Sequence, residues 1–172
     1  LWSVFHQLGA LSPSGAIRPF SRHADGILVG EGTGIVVLER LADAERHGHR
    51  VYATIAGTGL SSDGRDASLM SPRVDGQVLA LERAYRAAGV DPATVGMVEG
   101  HGTATAAGDR AELDTLRRVF GKPDDDHVVD AGSPVLGSVK SMIGHAMPAA
   151  GAAGLIKAVL SVHHGVLPPN PN

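Results

Sequence analysis

Two short strings combine glycine with side chains that handle protons. The first is Gly100-His101-Gly102-Thr103-Ala104-Thr105, followed by Gly108-Asp109. The second is Gly137-Ser138-Val139-Lys140-Ser141-Met142-Ile143-Gly144-His145. A histidine between two glycines lets other backbone approach closely and leaves its imidazole free to point into a cleft. In the second string a lysine lies between a strand-like segment and a second histidine. Imidazole is suited to proton transfer and to neutral hydrogen-bond donation near pH 7. A single histidine in a glycine-rich turn more often serves structure than catalysis. Two of them at comparable places, one with a lysine close by, point to a shared site. Thr103 and Thr105 can satisfy turn backbone groups or contact a ligand. Asp109 and Glu112 are spaced as a capping box, and Glu99 reads as structural. A metal site from His101, Asp109 and His145 is set aside, because no compact ligand spacing accompanies it. His47-Gly48-His49 in a turn and His163-His164 at a helix end read as exposed, with dipole or solubility roles.

The elements that must position these residues alternate along the chain. Residues 35–38 (IVVL) and 51–60 (VYATIAGTGL) read as strands, the second broken by glycine. Between them, 42–48 reads as a short polar helix. Asp75 can cap a helix in which Val78, Leu79, Leu81, Ala84, Tyr85 and Ala88 recur at helical spacing, ended by Gly89. Asp91-Pro92 predicts a short helical turn. Residues 97–99 make a brief strand, a helix runs from the capping box to about Phe120, 134–139 is another strand, and 149–163 is a small-residue helix. The class is α/β. Both proton-handling strings then follow strands, where open α/β sheets usually bind ligands.

Other chemistries are excluded or weak. With no Cys among 172 residues, disulfides, thiolate metal sites and a cysteine nucleophile within this chain are ruled out. Gly30-Glu31-Gly32-Thr33-Gly34 precedes its strand, whereas a dinucleotide fingerprint must follow one. The Gly100–Gly108 loop lacks the Gly-Lys-Ser/Thr ending of a phosphate loop. A hydrophobic fraction of 43% rules out intrinsic disorder, and a net charge of −3 without a basic run argues against nucleic acid and anionic membrane as partners. Residues 146–162 are interrupted by Pro148 and Lys157 and fall short of a membrane span. The Asp124-Asp125-Asp126 run reads as solvated surface.

Taken together, the strings resemble the β-ketoacyl synthase (ketosynthase) family. The matching runs are Ala10-Leu11-Ser12-Pro13, Arg18-Pro19-Phe20 with Ala24-Asp25-Gly26, Gly30–Gly34 leading into Val36-Val37-Leu38, then the two histidine strings, and Leu167-Pro168-Pro169-Asn170. They cover nearly the whole chain. The family patterns His-Gly-Thr-x-Thr and Lys-Ser-x-x-Gly-His are both intact. Departures are Gly100, where modular polyketide synthases usually carry Ala, Ala104, where they usually carry Gly, and Met142 in place of Asn. The phrasing around Lys140 is most similar to multidomain type I polyketide synthases, iterative ones included.

The resemblance implies the layered αβαβα thiolase-like fold, of which this chain is expected to be the C-terminal half, truncated at both ends. Residues 1–20 would close the N-terminal half and 21–172 form most of the C-terminal half. It implies that His101 and His145 are the active-site histidines and that Lys140 orients and electrostatically supports them. Thr103 and Thr105 would bind the phosphopantetheine arm of an acyl carrier protein. The implied reaction is decarboxylative Claisen condensation in polyketide or fatty acid synthesis, with no metal or nicotinamide. The family's Cys nucleophile lies in the other half of the domain, so this chain alone is expected to be inactive and to fold poorly. The complete enzyme is expected to be a cytoplasmic homodimer. Two rival readings are a non-catalytic chain-length or scaffold partner and a carrier-protein binding module.

Overall fold

The computed structural model describes residues 2–64, 71–121 and 134–171. The Asp124–Asp126 run lies outside them. In chain order the helices are α1 (Trp2–Gln7), α2 (Leu41–His47), α3 (Val74–Ala88), α4 (Ala106–Phe120), α5 (Lys140–Ile143) and α6 (Ala150–His164). The strands are β1 (Met97–Glu99) and β2 (Val135–Gly137), and 3-10 turns span Pro92–Thr94 and Met147–Ala149.

The long helices follow their periodicity. Helix α3 ends where Gly89 enters the left-handed region and returns its N–H to Arg86 and Tyr85 carbonyls, as Gly48 does for α2. Asp91 caps the Pro92 turn through the Ala93 N–H at 2.9 Å. Helices α3 and α4 pack along each other. Tyr85 and Phe120 meet edge to face at 6.0 Å, and the buried Thr115 hydroxyl lies 2.9 Å from the Gln77 side chain. Asp75 is not the cap expected of it. It sits inside the first turn of α3 and pairs with Arg118 of α4 at 2.6 Å.

Strands β1 and β2 pair in parallel, with Glu99 opposite Gly137. Parallel neighbours end at the same edge, so the loops that follow them emerge side by side. Two isolated parallel bridges, Leu11 to Ile27 and Val29 to His145, bring the 10–30 region onto this edge.

The expected strands at 35–38 and 51–60 are not strands. Neither forms a hydrogen-bond ladder among the described residues. Period-two patterning fits a residue run to a pleated sheet, but a strand also needs a neighbour whose N–H and C=O groups face it. Both segments lie instead across helices. Gly34 sits so close to α6 that an added Cβ would come within 2.7 Å of the Ala152 Cβ. Gly57 lies against Ala84 and Ala88 of α3, and Gly59, closer still, against Ala80 and Ala84. The other faces are bare, with Ile35 82%, Val37 91% and Leu60 84% exposed. The buried apolar set is accordingly small, drawn from Ile17, Ile27, Ala44, Ala104, Val139, Ala146 and Ala150. No helix among the described residues is long and apolar enough to cross a membrane.

Candidate active site

The register of β1 and β2 decides which residues meet. His101 stands two residues beyond Glu99 and Lys140 three beyond Gly137. Lys140, buried at the start of α5, donates its Nζ to the His101 carbonyl at 2.5 Å. The second histidine is set by the Leu28–Gly30 segment. The His145 N–H donates to the Leu28 carbonyl at 2.8 Å, and Gly30 N–H donates to the His145 carbonyl at 3.0 Å. The imidazoles of His101 and His145 then face each other edge to face, 5.7 Å apart.

Carboxylates hold the backbone around them. Glu112 accepts from the N–H groups of His101 (2.5 Å) and Gly102 (2.8 Å) through its two oxygens. Asp109, buried, accepts from Phe20 N–H at 2.6 Å and from Ala104 N–H at 3.0 Å. Glu99 accepts from Val139 N–H at 2.5 Å through one oxygen and pairs with Lys157 at 2.8 Å through the other. Gly137 and Gly154 make room for that pair. A Cβ at Gly137 would lie 3.2 Å from Lys157 Nζ, and one at Gly154 3.2 Å from Glu99 Cγ. Asn170 closes the far side, taking a hydrogen bond from the Ser141 hydroxyl at 2.7 Å.

Asp109 and Glu112 are therefore not a capping box. Helix α4 begins at Ala106, four residues earlier than that reading requires, and both carboxylates reach outward to other loops. Glu99, read as structural, does hold backbone and an ion pair. Sequence reasoning assigns no site role to Lys157 or Asn170. The one signal for the supporting acids is the spacing of Asp109 and Glu112, which puts two of them on one helix face directly after the histidine string.

Among the described residues, three non-glycine residues adopt left-handed backbone: Phe20 (φ 63°), Ala104 (φ 60°) and Met147 (φ 52°). Each has its N–H held by a site side chain. Asp109 takes the first two, and His145 Nδ1 accepts from Met147 at 3.0 Å. Such conformations store roughly 1–2 kcal/mol per residue and persist where the surroundings over-determine them. The Met147 bond also fixes a tautomer. With Nδ1 accepting, the neutral His145 ring carries its proton on Nε2.

Burial pushes the His145 pKa down from 6.5 to about 4, with the charges of Lys140 and His101 adding to the effect. The His101 pKa is lowered as well, first by desolvation and then by Lys140, although one side of its residue remains open to solvent. Burial lowers the Lys140 pKa against the opposing pull of Glu112, Glu99 and Asp109. Burial likewise raises that of Asp109, against its two N–H donors. The result is two neutral imidazoles beside an ammonium group, an arrangement that can donate hydrogen bonds to developing negative charge.

Thr103 and Thr105 come together, their hydroxyl oxygens 2.9 Å apart. Gly108 leaves space for them, since a Cβ there would stand 2.6 Å from Thr105 Oγ1. A separate apolar groove of about 800 Å³ runs between the Gly32–Gly34 segment and α6, past Val139, Ile143 and Ala146. Neither histidine nor Lys140 lines it. Gly100 admits the Phe20 ring, for a methyl there would meet Phe20 Cζ at 2.7 Å.

Gly102 combines close packing with left-handed backbone. Its φ is +46°, and an added Cβ would meet Ser138 Cβ at 2.8 Å and Pro19 Cβ at 2.9 Å. Gly102→Ala is expected to destabilise the folded domain by about 2–4 kcal/mol, combining overpacking with left-handed strain. Urea unfolding of the variant beside wild type measures this. An unchanged midpoint would show that the loop does not pack as described.

Comparison with protein families matches residues 52–172 to the β-ketoacyl synthase C-terminal domain and residues 1–44 to the β-ketoacyl synthase N-terminal domain. A phenolphthiocerol/phthiocerol polyketide synthase polypeptide of Mycobacterium tuberculosis is 49% identical over 169 residues, covering 96% of this chain and 9% of that protein. The solved ketosynthase from module 6 of the bacillaene synthase of Bacillus subtilis superposes with a TM-score of 0.89 at 37% identity. That match covers 98% of this chain and 30% of the other. The ishigamide ketosynthase/chain length factor gives 0.88 at 38% identity, over 98% of this chain and 39% of the other. The chain thus spans a small part of the mycobacterial synthase and well under half of either solved structure.

Proposed function

The chain belongs to the β-ketoacyl synthase family, with the thiolase-like fold of the ketosynthases, and from that premise we propose that it supplies the His/His/Lys part of a condensing site. The observation that carries this reading is the pair of facing neutral imidazoles next to Lys140, at the common end of two parallel strands. The complete enzyme is an acyltransferase. An acyl group rides on a Cys thiol that is not among these 172 residues. A malonyl-type thioester on the phosphopantetheine of an acyl carrier protein loses CO2, and the electron pair of the broken C–C bond passes into the enolate. His101 and His145 donate N–H bonds to the oxygen that becomes negative. The enolate carbon then attacks the acyl thioester carbonyl, and the Cys thiolate leaves as the new C–C bond is kept. Lys140 favours the charge that develops and pins the His101 carbonyl. Thr103 and Thr105 hold the pantetheine arm.

The exposed faces of Ile35, Val37 and Leu60 give the remainder of the domain an apolar surface to cover. The complete domain works as a homodimer, and the 172-residue chain by itself neither loads acyl groups nor condenses them. The rival reading, a non-catalytic chain-length partner, would fit the ishigamide ketosynthase/chain length factor among the structural relatives. It has no use for a second imidazole oriented by Met147.

The test is CO2 release from malonyl-carrier protein by a complete ketosynthase domain containing this sequence, followed across pH. Release should show no fall centred at 6.5 and should be lost as His145 protonates towards about 4. Stability should move in the same direction. Between about 6.5 and about 4 the unfolded chain takes up a proton that the folded His145 refuses, so stability is lost as pH falls through that window. A fall in CO2 release already centred near pH 6.5 would mean that the imidazoles are not held neutral. Absence of release at any pH would favour the non-catalytic partner.

A further inference from the structure

The exposed His47-Gly48-His49 turn has no part in the condensing site, yet its side chains converge on a third. Gly48, the left-handed residue that ends α2, reverses the chain so that the two imidazoles stand 5.4 Å apart on the same side. Glu39, at the end of the segment lying across α6, reaches between them. One of its oxygens is 3.2 Å from His47 Nδ1 and the other 2.8 Å from His49 Nδ1. We propose that Glu39, His47 and His49 form a surface binding site for a divalent metal ion of the zinc class, with water completing the shell.

The donor set is two imidazoles and a carboxylate, which suits zinc. The three ligand atoms all lie within 4.8 Å of one another. A tetrahedral ion with bonds of about 2.0–2.2 Å needs donors roughly 3.3 Å apart, so small side-chain rotations suffice. Without metal, each imidazole can give its Nδ1 proton to Glu39. Moving that proton to Nε2 frees both Nδ1 lone pairs, so neutral rings bind without net proton release. The two flanking arginines are engaged elsewhere and do not fill the site. Arg46 pairs with Asp43 at 2.5 Å, and Arg50 lies over the Tyr52 ring at 5.9 Å. The ion would also sit at the C-terminal end of α2, where helix carbonyls favour positive charge. Its effect would be to clip the end of the 31–40 segment to the turn after α2. This inference does not depend on the condensing reading.

Zinc titration by calorimetry, with Co2+ absorption as a second readout of coordination, tests it on the 172-residue chain and on the complete ketosynthase domain containing it. Wild type should bind one zinc ion that His47→Gln, His49→Gln and Glu39→Gln each weaken roughly tenfold or more. The control pair His163→Gln and His164→Gln should leave that binding unchanged. The proposal is overturned if zinc does not bind stoichiometrically in the complete domain, or if binding survives the His47 and His49 changes and disappears with the His163 and His164 pair. If the isolated chain does not stay folded, the complete domain decides by the same outcomes.

Discussion

His145→Ala, placed in a complete ketosynthase domain containing this sequence, should slow malonyl-thioester decarboxylation by about 10²–10³-fold. The expectation follows from a single orientation. Met147 N–H occupies Nδ1, so the proton on Nε2 is the one available to a substrate oxygen. Burial and the Lys140 charge keep the ring neutral, so it acts as a hydrogen-bond donor without first having to lose a proton. Alanine removes the donor and also leaves Met147 N–H without its partner. His145→Gln separates the two effects, because a side-chain amide can still donate. It should recover part of the rate without restoring the pH dependence near 4. Single-turnover CO2 release reads both variants. If His145→Ala keeps a near wild-type rate, the oxyanion assignment of His145 is wrong.

Removing the carboxylate beneath the lysine loop should produce the largest loss of stability. The Glu99–Lys157 pair is nearly buried, with side chains 12% and 8% exposed. Glu99→Ala leaves the Lys157 ammonium uncompensated and Val139 N–H unsatisfied. Breaking one partner of a buried pair commonly costs about 3–5 kcal/mol, a large share of a domain's whole stability. Replacing both partners by apolar residues of similar volume, Glu99→Leu with Lys157→Met, should recover most of that loss, since no charge is then stranded. Urea midpoints of the two single variants and the double variant form the required cycle. If Glu99→Ala shifts the midpoint as little as a surface substitution does, the pair is not desolvated as described.

The sequence made the reactive groups legible and their supports much less so. His101, Lys140 and His145 stand out because few other side chains serve proton chemistry and all three follow strands. Helix α3 was readable from apolar residues at helical spacing and its end from Gly89, α6 from its run of small residues, and α4 only with a misplaced start. Residues 35–38 and 51–60 misled because a β-branched run and an alternating pattern are both local while a ladder is not, and the described chain offers them no partner strand. Asp109 misled for a related reason. Its bond to Phe20 spans 89 positions, and no local pattern distinguishes that role from a cap. Glu112, Lys157 and Asn170 likewise act on residues at least ten positions away.

The left-handed backbone at Phe20, Ala104 and Met147 also limits which relatives of this site can exist. A β-branched side chain is a steric outlier at positive φ, so valine, isoleucine and threonine are barred from all three positions, while glycine and asparagine are admitted. The relevant hydrogen-bonding side chains, Asp109 and His145, lie 89 positions from Phe20 in one case and two from Met147 in the other. A transplant of the two histidine strings alone would therefore carry the imidazoles and the lysine into a new synthase without the Pro19-Phe20 corner that Asp109 anchors. The smallest exchangeable cassette runs from that corner through Asn170, and chimaeras joined inside it should lose activity even when every residue of both histidine strings is retained.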